Sequence, residues 1–465
     1  MSVSSRTEAT ESSPLIAGQA ARPNGFHRHH HSHDGRSAFV RRLLLDKKHT
    51  PGFDSDNRVA RTTAHVLNIT KAALYSSPVN VLLVFVPLGI AAGILEWSAA
   101  AVFTLNFFAI VPLAAVLSFA TEEMSARMGE ALGGLLNATF GNAVELIVSI
   151  VALKEGQIEV VQSSMLGSIL SNALLVLGMC FFFGGICNMR DGSNVPMEQQ
   201  FASATAQTSC SLMALSSASL IIPAALYASL SSNIDPDERQ QVILVLSRGT
   251  SIILLLLYCL FLFFQLRTHS NLFDAESTPS DASAAHGDSD SDEAEPEEHM
   301  SPWSAAAVLV VVTIMVSICA EYLVDSIDAI VATGKLSKNF IGLILIPIVG
   351  NAAEHVAAVT VAVKNRMDLS MSVAMGSSIQ IALLVTPSLV IVGWLVLDQA
   401  MTLRFESFET VVFGISVLLV AYTVQDGKSN YLEGAMLMGL YAIIALAFYV
   451  TPSNALDMVK TALSM

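Results

Sequence analysis

Two glutamates, Glu145 and Glu354, stand about a dozen residues inside stretches that carry no other Asp, Glu, Lys or Arg. A carboxylate at the middle of a bilayer costs ~2.5–3.5 kcal/mol even on the lenient insertion scale, so such a residue faces protein, a water-filled cavity or a bound cation. Two of them in one place have a definite chemistry. Ionised, they cancel the charge of one divalent cation, and hard oxygen ligands suit such an ion. Without metal, burial and mutual repulsion make a carboxylate pair take up protons. Metal and protons competing for the same oxygens is exchange chemistry. The plainer reading is two buried glutamates bonded to backbone.

The neighbours extend the pattern. Asn142 and Asn351 precede each glutamate by three residues, nearly the same helix face, and either supply amide oxygens or pin the carboxylate. Gly141 and Gly350 permit unwinding or close helix approach, which frees backbone carbonyls for an ion. Ser168 and Ser171 in one stretch, Ser377 and Gln380 in another, are each three residues apart and share a face. These four either reach the ion or bond between helices. His355 directly follows Glu354 and either tunes proton affinity and ion choice or simply packs.

The elements that must position these residues repeat. GNAVE at 141–145 recurs as GNAAE at 350–354, an offset of 209, and GSILSNALLV at 167–176 meets GSSIQIALLV at 376–385 at the same offset. Gly133 likewise falls on Gly342. Charge-free length and Gly/Pro breaks predict eleven apolar spans, near 79–96, 98–120, 133–153, 160–187, 203–230, 241–266, 303–330, 340–363, 370–397, 407–424 and 432–451. The offset covers five spans, an odd number, so the two copies enter the membrane from opposite sides. The expected fold is therefore an all-α polytopic membrane protein: one extra N-terminal helix, then two inverted five-helix repeats, 98–266 and 303–451. Inverted repeats mark secondary transporters with a site at the midplane.

Composition supports the membrane reading. Hydrophobic residues are 53% of the 465-residue chain and charged residues only 14%, against ~25% charged in soluble domains. The net charge of −15 is concentrated. Residues 267–302 hold ten acids against Arg267, whereas 1–78 hold eleven Lys/Arg against six Asp/Glu. That distribution gives a nucleic-acid partner no support. Five cysteines without CxxC spacing indicate neither a disulfide framework nor a zinc site. Residues 1–78 have the composition of an unstructured tail, 267–302 that of an acidic linker with a short helix over 292–300 at most, and 452–465 form a C-terminal tail. The basic N-terminal tail places the N-terminus and the linker on the cytosolic side.

The motifs GNAVELIVSIVAL (141–153) and IPIVGNAAEHVAAVTVAVKN (346–365), with GEALGGLLNATFGNAVE (129–145) and LSKNFIGLILIP (336–347), resemble the two signature repeats of the cation/proton exchangers of the Ca2+:cation antiporter superfamily, fungal and plant vacuolar type. The resemblance covers about 79–450. It implies an 11-span fold, Ca2+ held by Glu145 and Glu354, H+ as counter-ion, and roles around the ion for Asn142, Asn351, Ser168, Ser377 and Gln380. It also implies a multi-pass protein of the vacuolar membrane, no cofactor beyond the transported ions, and no enzyme activity. The rival is a Mn2+ or mixed-divalent/H+ antiporter, for which His355 is the one softer ligand nearby. An intramembrane metalloprotease is excluded by the lack of an HExxH motif.

Further acids carry two readings each. Glu122, Glu123 and Glu130 flank spans 2 and 3; the resemblance puts Glu122 at the cytosolic mouth, while an ordinary helix-end charge serves equally. Glu321, Asp325 and Asp328, at i, i+4 and i+7, either line the luminal exit or mark the wet end of span 7. The acidic linker either concentrates Ca2+ near the pore or is a solvated connection. In the tail, His27, His29, His30, His31 and His33 form a low-complexity tract, and ESSPLI at 11–16 fits an acidic dileucine pattern that a sorting adaptor would read. Nothing in the sequence signals an oligomeric state.

Overall fold

The computed structural model describes residues 58–128, 130–188, 198–230, 235–269, 301–334 and 336–451. The chain divides into Met1–His65 and Val66–Met465; only the start of one helix is described in the first part, and the account below concerns the second. The His tract, the dileucine pattern, the acidic stretch 270–300 with its expected short helix, and the C-terminal tail lie outside the described residues.

Helix α1 (Arg58–Tyr75) leads to a 3-10 stretch, Pro78–Val84, and to α2 (Phe85–Ile94). Next come α3 (Ala99–Ser125), α4 (Glu130–Phe140), α5 (Ala143–Lys154), α6 (Ile158–Asn188), α7 (Ser203–Ser229) and α8 (Pro236–Thr268). The second half holds α9 (Pro302–Val331), α10 (Lys338–Gly350), α11 (Ala352–Val363), α12 (Met367–Leu397), α13 (Ser407–Thr423) and α14 (Tyr431–Val450). Among the described residues, seven helices are long and apolar enough to cross a membrane. Two bent pairs, Leu67–Tyr75 with Pro78–Ile94 and α10 with α11, raise that to nine. The chain is thus a helical polytopic membrane protein.

One expectation changes at the N-terminal end. Residues 58–75, expected to belong to an unstructured tail, are helical. Apolar residues at Val59, Val66, Ile69 and Ala73 follow a helical spacing that the tail's average composition hides. This helix precedes the expected first span, 79–96, and the chain turns by 118° between Leu67–Tyr75 and Pro78–Ile94. Asn80 fixes that corner by donating to the Ala73 carbonyl at 2.6 Å and to Ser76 Oγ at 3.0 Å.

Local sequence sets the helix ends. Asp235 accepts from the Asp237 amide, Pro236 fills the first turn, and Asp237 and Glu238 complement the dipole at the start of α8. Asn430 caps α14 by accepting from the amides of Leu432 and Glu433. Helices α5 and α11 stop at left-handed residues 209 apart, Gly156 (φ 72°) and Asn365 (φ 59°). At one end of the bundle, Gln199–Gln200 pairs antiparallel with Lys428–Ser429. Glu198, 2.9 Å from Lys428, holds that ammonium above its ordinary range.

Helix α6 is central: 72% of its apolar window is buried, against 17% for α8. The exposed Val245, Ile253, Leu256 and Leu260 of α8 suit lipid rather than a core. Two glycines let α6 and α10 meet backbone to backbone. A side-chain carbon at Gly167 would lie 2.1 Å from the Leu343 carbonyl oxygen, and one at Gly342 would lie 2.8 Å from Ser163 Cβ.

Candidate functional site

The two GNA motifs break their helices. The chain turns at Gly141–Asn142 between α4 and α5, and at Asn351 between α10 and α11, where the axes bend by 57°. Each asparagine is the N-cap residue of the following half-helix, and Glu145 and Glu354 sit in the first turns of α5 and α11. That end of a helix carries unsatisfied N–H groups and the positive pole of the dipole, which suits an anionic side chain. The expected unwinding at the glycines is therefore a one-residue to two-residue interruption, and Gly350 adds a second property. A side-chain carbon there would lie 2.9 Å from Glu145 Oε1, so the first motif's carboxylate rests on the second motif's backbone.

Cross-links between the halves hold this arrangement. Asn142 Nδ2 donates to Gln380 Oε1 at 2.6 Å, and Ser377 Oγ donates to Asn142 Oδ1 at 3.0 Å. Reciprocally, Asn351 Nδ2 donates to the Ser168 carbonyl at 3.3 Å. Ser171 Oγ lies 3.2 Å from His355 Nε2. Every one of these bonds joins the motif of one half to the second long helix of the other, α6 or α12. Both helices carry a π-helical turn beside the site, Ser171–Val176 and Ile381–Val385; such turns are frequent at functional sites.

Glu145 is buried at 5% exposure, and neither of its carboxylate oxygens has a hydrogen-bond partner. It lines a cavity shared with Ser164, Ser168, Val349 and Gly350, with about 10 Å3 open to the centre of a water-sized sphere. That is room for little more than one water or ion. Glu354 is half-buried and near enough to Glu145 to interact electrostatically. The Asn351 amide oxygen is also buried without a partner. Among the described residues no group of three or more His, Cys, Asp or Glu could hold a metal. The oxygens gathered here are two carboxylates with neutral amides, hydroxyls and carbonyls.

One point differs from the sequence expectations. Neither Asn142 nor Asn351 bonds to a glutamate; the group that pins Glu354 is Asn172, whose Nδ2 donates to Glu354 Oε2 at 3.1 Å and to Ser377 Oγ at 2.9 Å. Asn172 escaped the repeat comparison because Ile381 stands 209 residues on. The one available signal was an amide inside a charge-free span, next to Ser171. The outer acids lie at helix ends. Glu122 is exposed at the end of α3, accepting from Ser118 at 3.3 Å, beside a half-buried Glu123; the Glu130 side chain lies outside the described residues. Glu321 is exposed and 3.5 Å from Lys154, while Asp328 binds Lys338 at 2.8 Å and accepts from Gln157 at 2.7 Å. These last residues form a wet, charged end of α9.

The family model for sodium/calcium exchanger protein matches residues 98–267 and 304–450. The chain belongs to that family. This exchanger is 47% identical to the vacuolar calcium ion transporter of Schizosaccharomyces pombe, over 86% of its own length and 92% of the relative's. It is 41% identical to vacuolar cation/proton exchanger 2 of Arabidopsis thaliana, over 83% and 84%. Among solved structures it is similar to the Ca2+/H+ antiporter protein YfkE, with 34% identity, a TM-score of 0.62, and coverage of 80% of this chain and 99% of that one.

Proposed function

We propose that this exchanger is a Ca2+/H+ antiporter of the vacuolar membrane, moving Ca2+ out of the cytosol against H+ from the lumen, with Glu145 and Glu354 as the shared ligands. The observation that carries the reading is the Glu145 carboxylate, buried, without a hydrogen-bond partner, seated on Gly350 beside Glu354 in a cavity of ion size. A buried carboxylate with no cation beside it is costly, and either a divalent ion or a proton removes that cost. The pair therefore alternates between two neutral forms: ionised with one Ca2+, or protonated without it. Neutralising both carboxyls takes at least two protons per Ca2+.

Asn142, Asn351, Ser168, Ser377 and Gln380 supply amide, hydroxyl and carbonyl oxygens around the ion or hold the half-helices in register. Asn172 orients Glu354. His355 and Ser171 sit at the margin of this set. Counting α13, and α4 with α5 as one broken span like α10 with α11, brings the spans to eleven, arranged as an extra first span and two inverted repeats. With the basic tail in the cytosol, the acidic linker is cytosolic and the α6–α10 seam lies on the luminal side. No observation at the site favours Mn2+. The exposed acids at Glu122 and Glu321 lie at opposite mouths of the pathway in this topology.

The test is Ca2+ uptake into sealed vesicles with an acidic interior. The proposal expects uptake that collapses when a protonophore dissipates the gradient; uptake that survives the protonophore would indicate a channel.

A further inference from the structure

Glu409, in the first turn of α13, takes no part in the site described above, yet it is 1% exposed. Its Oε1 accepts the Ser163 hydroxyl at 2.6 Å. Ser163 lies on α6 directly in the seam with α10, where it faces Gly342. One turn earlier, Glu406 is bonded to Asn339 Nδ2 at the start of α10. The two carboxyl groups at the start of α13, Glu406 at its N-cap and Glu409 in its first turn, thus hold both sides of the seam from behind, Glu409 the α6 side and Glu406 the α10 side.

The charged groups that face Glu409 are Glu406 on its own chain turn and Glu159 at the start of α6, both acids. Glu159 is exposed and Glu406 half-buried, which leads from solvent to the buried carboxyl. An ionised Glu409 in this place is a buried negative charge beside two more, whereas a protonated one is a neutral donor and acceptor within a closed seam. Ser164, the next residue after Ser163, lines the Glu145 cavity, so a change at Ser163 reaches the ion site through one peptide unit of α6.

We propose that Glu409 is an additional proton-binding site, separate from Glu145 and Glu354, whose occupancy by H+ from the Glu159–Glu406 side sets how readily the α6–α10 seam opens. The inference rests on the antiporter reading. Its consequence is that exchange depends on the pH of that one side beyond what the gradient alone requires.

The experiment measures Ca2+ exchange in vesicles with the pH of each side set independently, for wild type, Glu409→Gln and Ser163→Ala. Glu409→Gln keeps the shape and the bond to Ser163 but cannot ionise. It is expected to retain exchange within about twofold at acid pH and to lose the inflection with pH on the Glu406 side, while the profile for the opposite side is unchanged. Ser163→Ala leaves the carboxyl but removes a donor that favours its ionised form, so the inflection moves to higher pH. Profiles of both variants superimposable on wild type would overturn the proposal. If Glu409→Gln does not reach the membrane, Ser163→Ala decides alone: an unmoved inflection overturns it. Absence of gradient-driven exchange in wild type would instead count against the antiporter reading itself.

Discussion

Helix α10 and helix α4 stand in corresponding places of the 209-residue repeat, each the first half of a span broken at a GNA motif, and they are packed differently. Ile341 and Ile344 of α10 are 0% and 4% exposed, whereas their counterparts Leu132 and Leu135 of α4 are 57% and 44% exposed. The glycines follow the same division. Gly167 and Gly342 let α6 and α10 touch, but Gly376, the counterpart of Gly167, has nothing within 4 Å of where a side chain would start. Helix α4 lies instead against Ser125 at the end of α3 and Leu266 at the end of α8. One sequence pattern thus appears in a closed and an open arrangement within one molecule. The site between them is closed by the α6–α10 seam, and among the described residues nothing packs against Gly376 to make the matching α12–α4 seam. Under the proposed function and topology this is the state open to the cytosol, and the proposal requires transport to exchange the two arrangements.

That comparison can be broken by adding single methyl groups. Gly167→Ala forces a carbon onto the Leu343 carbonyl, and overpacking of this kind costs ~1–3 kcal/mol; thermal unfolding in detergent should show a lowered midpoint together with loss of exchange. Gly376→Ala meets open space and gains helix propensity, so the midpoint should hold or rise. If Gly376 takes the place of Gly167 in the alternate state, exchange should nevertheless slow. A Gly376→Ala protein that transports at the wild-type rate would mean the second seam never forms.

Removing Asn172 tests the site rather than the seams. Asn172→Ala deletes the donor to Glu354, a bond to a charged group worth ~1.5–3 kcal/mol, and Ca2+ exchange should fall about tenfold or more without a comparable loss of stability. Thiol labelling reads the comparison more gently: Leu135→Cys should react readily with a water-soluble maleimide, Ile344→Cys slowly, and the ratio should move toward unity during turnover. The smallest effect is expected at Glu321→Gln. Its partner Lys154 is as exposed as it is, and solvent and salt screen such a pair, so exchange should change by less than about twofold.

Much of this was legible in the sequence where the physics is local. The cost of a charge in an apolar stretch singles out Glu145 and Glu354, and the repeat offset pairs Asn142 with Asn351 and Ser168 with Ser377. What the offset hides are residues without a counterpart. Asn172 faces Ile381 in the repeat, so comparing the halves passes over it. Glu409 sits two residues into a helix, where an acid reads as an ordinary first-turn charge, and its burial depends on α6 folding over it. The helix Arg58–Tyr75 was lost in an average dominated by the polar residues before it. The packing difference between α4 and α10 is tertiary and leaves no mark in a single sequence, because both segments carry the same pattern.

The most direct measurement is gradient-driven Ca2+ uptake by Glu145→Gln and Glu354→Gln in vesicles, beside their thermal stability. Each change keeps the side chain's size but removes one of the two charges that would cancel Ca2+. The account predicts that both proteins fold and that both lose uptake by about 100-fold, ~2.7 kcal/mol. Normal uptake by either variant would place the ion elsewhere and contradict exchange at a shared carboxylate pair.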